Sequence, residues 1–296
     1  VTGIRRERFG DFSVLRREAT AEGGVTVHFA HATGFNAETY RLLLASLHPA
    51  LDVRAMDARG HGMTKARAVV KELRSWSPYR ADLRTFVETL PQPVVLAGHS
   101  MGATVSAELA ASRPDLVQGL VLVDPVVIAP KYVPLAALTR TIGLSHRLIP
   151  VSQAAAQRRS EFPSKRDTVE NYVGKGAFRT WPREWIEAYV EGGTVPTDAG
   201  TVRLSCDPAW ESRTFAKASV NPLRAVAKLR CPITLLTYDR AEPPFSRAAC
   251  DAFMRAKPDT RLVVLDGASH FIPMERPKLV RDEIERMAAR VRSELG

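Results

Sequence analysis

The chain has 296 residues, 45% hydrophobic and 25% charged, ordinary for a soluble globular protein and enough for one large α/β domain or two small ones. Its net charge of +10 comes from dispersed Lys and Arg without the aromatic-basic pattern of a nucleic-acid module, so no nucleic-acid partner is expected and a solvated basic surface is. Three cysteines, Cys206, Cys231 and Cys250, lack C-x-x-C spacing, which argues against a disulfide scaffold and fits a reducing, cytoplasmic compartment. No N-terminal stretch reads as a signal peptide and no run reaches transmembrane length, so no membrane partner is expected.

Residues 9–16 read as a first edge strand, and residues 24–30 as a central strand running into the loop His31-Ala32-Thr33-Gly34-Phe35. Asn36 is placed to cap a helix whose apolar positions are Tyr40, Leu42, Leu43, Leu44 and Leu47. Residues 51–56 form the next strand, ending in the Gly-rich turn Asp57-Ala58-Arg59-Gly60-His61-Gly62. Pro78 through Leu90 reads as a helix, Pro93 through Ala97 as a short buried strand, and Ala103 through Ala111 as a helix. Leu120 through Val123 is a continuous apolar strand closed by Asp124-Pro125. Strands that alternate with helices and are apolar throughout predict a mostly parallel sheet covered on both faces. The rhythm breaks after Asp124. Residues 126–228 show short helical patches and no clear strand series, with fifteen Lys and Arg against nine Asp and Glu. This stretch reads as an inserted, mainly helical cap, leaving residues 1–125 and 229–296 as the core domain. The sheet resumes at 232–238, a helix with Phe253 and Met254 follows, and residues 261–265 are the last strand. The loop Gly267-Ala268-Ser269-His270 precedes an amphipathic helix at 277–295.

Between the strand at 93–97 and the helix at 103–111 stands Gly98-His99-Ser100-Met101-Gly102. It fits G-x-S-x-G, the nucleophile elbow, in the strand–turn–helix context that motif requires. The glycines remove side chains that would clash with neighbouring backbone. Ser100 then projects at the C-terminal edge of the sheet over a helix N-terminus, which favours developing negative charge. A serine hydroxyl needs a base to remove its proton, and an imidazole held by a buried carboxylate does so. His270, just after the last strand, is the candidate base. His99, inside the elbow, is expected to pack against neighbouring strands, and His31 and His61 to shape their own loops.

With these motifs in order, the chain resembles the α/β-hydrolase superfamily: the elbow, the Asp-x-Arg-Gly-His-Gly turn at 57–62, and the tail Gly267-Ala268-Ser269-His270-Phe271-Ile272-Pro273-Met274-Glu275-Arg276-Pro277. The resemblance implies an α/β-hydrolase fold with a mostly parallel eight-stranded sheet and a helical cap. It implies a triad acid at one of two places. The family's usual acid follows the seventh strand, where the count lands on Ala241, with Glu242 one step beyond and Asp239 two before; a minority carries it after the sixth strand, which matches Asp124. Both Asp124 and Glu242 stay open. It further implies an oxyanion hole from the backbone N–H groups of Met101 and Thr33, with Ala32 in place of the family's usual Gly.

Ser100, where epoxide hydrolases and haloalkane dehalogenases need Asp, points to acyl transfer to water. No metal-ligand spacing or phosphate-binding loop occurs, so no cofactor or metal is expected. The leading expectation is a serine hydrolase acting on a small carboxylic ester, lactone or thioester. A C–C bond hydrolase of the same family and a hydrolase-like small-molecule receptor are alternatives, and an inactive scaffold is disfavoured by the presence of both Ser100 and His270. Trp181, Trp185, Tyr189 and Trp210 are candidates either to line the pocket or to fill the cap's own core. The sequence leaves the oligomeric state open.

Overall fold

The structure is a computed structural model and describes residues 3–20, 24–239 and 247–295. Its strands are β1 (Arg5–Phe9), β2 (Phe12–Arg17), β3 (Thr26–Ala30), β4 (Asp52–Met56), β5 (Val94–His99), β6 (Gly119–Val123), β7 (Glu161–Phe162), β8 (Thr194–Pro196), β9 (Val202–Leu204), β10 (Ile233–Tyr238) and β11 (Arg261–Leu265). Its helices are α1 (Arg41–Ser46), α2 (Ser77–Val87), α3 (Met101–Ser112), α4 (Val133–Thr141), α5 (Ser145–Leu148), α6 (Pro150–Ala156), α7 (Lys165–Tyr172), α8 (Arg183–Gly193), α9 (Pro208–Ala216), α10 (Leu223–Val226), α11 (Arg247–Ala256), α12 (Ile272–Glu275) and α13 (Pro277–Leu295).

Eight strands form one sheet in the order β1-β2-β4-β3-β5-β6-β10-β11. From β4 to β11 every pairing is parallel, and β1 and β2 join antiparallel at one edge. The period of two in β5 divides its side chains between two cores. Val95 and Ala97 pack with Val280 and Ile284 of α13, whereas Val94 and Leu96 pack with Leu83 and Phe86 of α2 and Leu109 of α3. Both faces are covered, so β5 and β6 are almost wholly apolar. The chain runs from β3 outward to β4 and then returns to place β5 on the other side of β3. The C-terminal ends of β3 and β5 therefore flank a reversal of strand order, where an open α/β sheet leaves a crevice.

The single edge strand expected at 9–16 is a hairpin. Phe9 pairs with Phe12 across Gly10-Asp11, and Gly10 has φ 54, as a Gly at the first central position of a type II′ turn requires. Between β6 and β10 lie α4 through α10 and a small antiparallel sheet in the order β7-β9-β8. No strand series was expected there. These strands are two or three residues long, too short to display an alternating pattern. Asn36 caps a single 3-10 turn, Ala37–Tyr40, by accepting from the Thr39 N–H, and α1 follows it.

Candidate active site

Ser100 occupies the turn between β5 and α3 with φ 54 and ψ −115. A left-handed backbone at a non-glycine residue costs on the order of 1–3 kcal/mol and persists only where its surroundings hold it. Here they do. The Ser100 N–H donates to Val123 O at 2.9 Å, and Ser100 O accepts from Thr104 N at 3.1 Å. A Cβ on Gly102 would lie 2.2 Å from Ala30 O, and one on Gly98 would lie 2.7 Å from Ala103 N. Strand β3, the elbow and α3 thus meet at a separation that only glycine permits at these two positions.

Asp124 closes β6, one position past the strand that pairs with β5, and is also left-handed, at φ 44. Its backbone N–H donates to Leu236 O at 2.8 Å, and its side chain is fully buried. His270 stands on the loop after β11, and its Nδ1 is hydrogen-bonded to Asp124 Oδ2. Thr237 Oγ1 donates to the other carboxylate oxygen, Oδ1, at 3.2 Å. The parallel register carries Thr237 there, because Leu236 pairs with Val123 and the next residue on each strand lies at the sheet edge. The His270 side chain remains about a third exposed, at 35%. Glu242 lies outside the described residues, and Asp239 is exposed just past β10. Met101 opens α3, where first-turn N–H groups lack intrahelical acceptors. Thr33 is buried in the loop after β3.

A buried hydrogen-bond chain joins the two loops. Tyr40 OH accepts from Ala32 N at 3.2 Å and reaches His99 Nδ1 at 2.8 Å. His99 Nε2 reaches His270 O at 2.7 Å. The chain has one consistent direction: Tyr40 donates to Nδ1, so Nε2 carries the proton and donates to the His270 carbonyl. Burial pushes the Tyr40 phenol well above its ordinary value, which keeps it a donor. The rings of His99 and His270 lie 4.7 Å apart. His99, expected only to pack, therefore links the loop holding Thr33 to the loop holding His270. Glu275 fixes the second loop from below, accepting from Ser269 N at 2.7 Å, Ser269 Oγ at 2.6 Å and Thr180 Oγ1 at 2.6 Å. Burial opposes its ionisation, but those hydrogen bonds outweigh it and hold the carboxyl below its ordinary value. Thr237 and Glu275 had no assigned part in the sequence reading, and Tyr40 was read only as an apolar helix position. Only Glu275 stood in a quoted motif.

His31 and His61 do shape loops. His31 Nδ1 donates to Ala32 O at 2.8 Å and its Nε2 accepts from Ala58 N at 2.9 Å, tying the loop after β3 to the turn after β4. His61 Nδ1 lies 3.0 Å from Arg59 O.

The segment between β6 and β10 covers this edge with aromatic side chains. Trp181 meets Phe35 at 5.3 Å and Phe271 at 5.4 Å, and Tyr189 meets Phe35 at 5.6 Å. Asn36 Nδ2 donates to Tyr189 O at 3.0 Å. Trp185 is buried in the apolar core beside them. Trp210 seals the turn after β4, donating from Nε1 to Arg59 O at 3.2 Å. Of these four aromatics, Trp181 and Tyr189 face the two loops. Among the described residues, no cluster of His, Cys, Asp or Glu is arranged to hold a metal ion.

The sequence pattern of the alpha/beta hydrolase family matches residues 29–283. The chain belongs to that family. Two curated relatives align over most of their length. A 2-(acetamidomethylene)succinate hydrolase of Mesorhizobium japonicum is 27% identical over 278 residues, 93% of this chain and 91% of its own. An (E)-2-((N-methylformamido)methylene)succinate hydrolase of Acinetobacter baylyi is 22% identical, over 86% of this chain and 87% of its own. Among solved structures, that of an E-2-(acetamidomethylene)succinate hydrolase superposes with a TM-score of 0.73 at 23% identity, covering 97% of this chain and 98% of that one. The alpha/beta hydrolase fold read from the sequence is thus the fold observed, and the chain is a hydrolase of this family.

Proposed function

We propose that the protein is a serine hydrolase that cleaves a small-molecule acyl compound, a carboxylic ester, lactone or thioester, through an acyl-enzyme. Ser100 is the nucleophile, His270 the general base and Asp124 the orienting acid. The observation that carries the reading is the bond from His270 Nδ1 to the buried Asp124 carboxylate, on the loop beside a serine in a left-handed elbow. With Nδ1–H committed to Asp124, Nε2 is the nitrogen left to accept a proton. Ser100 Oγ attacks the carbonyl carbon as His270 takes its proton. The protonated imidazole then gives that proton to the leaving oxygen or sulfur. Water, deprotonated by the same imidazole, releases the acid and restores Ser100. Asp124 stabilises the imidazolium, and Thr237 holds the carboxylate in place. The backbone N–H groups of Met101 and Thr33 are assigned to the oxyanion that forms at each tetrahedral stage.

Residues 126–228 are assigned to a cap that roofs this edge, with Trp181 and Tyr189 as pocket-lining residues. The whole-length relatives are named for hydrolysing substituted succinates that carry an acylated nitrogen. This observation favours a second reading, cleavage of an acyl group from nitrogen on a small diacid, which the basic cap would suit electrostatically.

The test is rapid mixing with a panel of small esters, thioesters and N-acyl diacids, with intact-mass analysis of the quenched enzyme. A burst equal to the enzyme concentration and an acyl adduct on Ser100 are expected. Tight ligand binding without turnover across the panel would point to a receptor instead.

A further inference from the structure

The cap carries an exposed aliphatic face that the catalytic reading does not use. Helix α4, Val133-Pro134-Leu135-Ala136-Ala137-Leu138-Thr139-Arg140-Thr141, has no buried residue. Leu135, Leu138 and Ile142 are 59%, 57% and 56% exposed. Their spacings of three and four residues line them up on one side of the helix. Leu144, Leu148 and Val151 continue the exposure across α5, which packs on α4, and α6, which packs on α5. Single exposed aliphatics are ordinary, but a contiguous set on consecutive elements marks an interaction surface.

The charge of this stretch is one-sided. Residues 125–160 contain no Asp or Glu, and carry Lys131, Arg140, Arg147, Arg158 and Arg159. Arg158 turns inward to Glu211 and Tyr189. Lys131 and Arg147 are exposed, one just before α4 and one beside Leu148. An aliphatic face with basic residues and no acidic ones is the composition that lies on an anionic membrane surface, with side chains among the acyl chains and cations at the headgroups.

We propose that the α4–α6 face docks the protein on the surface of a bilayer containing anionic phospholipid. A second copy of the chain is the poorer occupant. A two-fold contact sets a patch against itself, and this one would face basic groups with basic groups and offer no acid to either. The sequence expectation of no membrane partner rested on the length of apolar runs. No described helix is long and apolar enough to cross a membrane, but lying on a surface needs no such length. The net charge of +10 adds a longer-range attraction that salt weakens.

The experiment is co-sedimentation of the whole chain with vesicles of phosphatidylcholine alone or with about 30% phosphatidylserine. The variants are Leu138→Ser with Leu148→Ser, and Lys131→Gln with Arg147→Gln. Because these side chains are exposed, both variants should melt with the wild type by circular dichroism. Binding to the phosphatidylserine vesicles should be about tenfold tighter than to phosphatidylcholine, weaken in high salt, and fall about tenfold in each variant. The proposal is overturned if the wild type does not sediment with anionic vesicles. It is equally overturned if the leucine variant binds as well as the wild type, or if light scattering shows a dimer that this variant abolishes.

Discussion

Replacing Tyr40 with Phe tests whether the hydrogen-bond chain behind the site holds its two loops. The substitution removes one oxygen from a residue with no solvent exposure and leaves the ring's packing intact. It strips the Ala32 N–H of its acceptor and takes from His99 Nδ1 the O–H it accepts. Moving the proton to Nδ1 does not repair the loss, since Nε2 would then have none to donate to His270 O. Each of the two buried polar groups that lose this partner costs about 1–3 kcal/mol, so the expected loss is about 2–6 kcal/mol. Tyr79→Phe is the control. Its hydroxyl meets Thr214 Oγ1 at 2.8 Å, but Thr214 still donates to Trp210 O at 2.9 Å, so a loss of only about 1 kcal/mol is expected. Urea unfolding of both variants, with slopes unchanged, measures the difference. If Tyr40→Phe is no less stable than Tyr79→Phe, the chain through His99 does not bear on the fold as described.

The other predictions concern the elbow, the acid and the buried histidines. Asp124→Asn keeps a residue type that tolerates the left-handed backbone and retains an oxygen for Thr237, so its melting temperature should stay near that of the wild type. Its rate of acylation should fall by about 10³–10⁴, and a loss under tenfold in stopped-flow assays would remove Asp124 from the mechanism. Gly102→Ala drives a methyl into the backbone of Ala30 and His31 and should cost about 3 kcal/mol or more. A thermal melt matching the wild type would refute that account of the elbow. Burial first, and then the charge of His31, push His28 and His61 down to about 3. Their unfolded forms take up protons below about 6.5 while the folded forms do not, so stability is full above that pH and is lost as pH falls toward 3. At pH 5 the loss is about 2 kcal/mol for each histidine, to be read as the drop in unfolding free energy between pH 7 and pH 5. A pH-independent unfolding midpoint over that range would contradict it.

The legible parts of the fold and site are those carried by contiguous residues. Strands β5 and β6 are buried on both faces and read as nearly continuous apolar runs. The elbow is five adjacent residues whose glycines are demanded by backbone contacts. The hairpin β1–β2 was hidden because Gly10-Asp11 interrupts what otherwise reads as one alternating edge strand, although a Gly at that position is itself a turn signal. The helpers of the site come from separate segments. Thr237 meets Asp124 through strand register, and Tyr40 meets His99 across 59 residues of chain. Neither has a local signature, since a buried Tyr or a strand-end Thr is ordinary by itself. The sequence left Asp124 and Glu242 both open as the acid, because the contact of Asp124 with His270 spans 146 residues. The segment between β6 and β10 was least legible, its strands being short and its aromatics divided between the two loops and an apolar core.

The measurement closest to the central claim is covalent labelling with a fluorophosphonate probe, read by intact mass and peptide mapping, on the wild type, Ser100→Ala and His270→Ala. A single adduct on Ser100 is expected in the wild type, none in Ser100→Ala, and labelling slowed by about 10³-fold or more in His270→Ala. A folded wild-type protein that leaves Ser100 unlabelled, or that labels equally fast without His270, would contradict it.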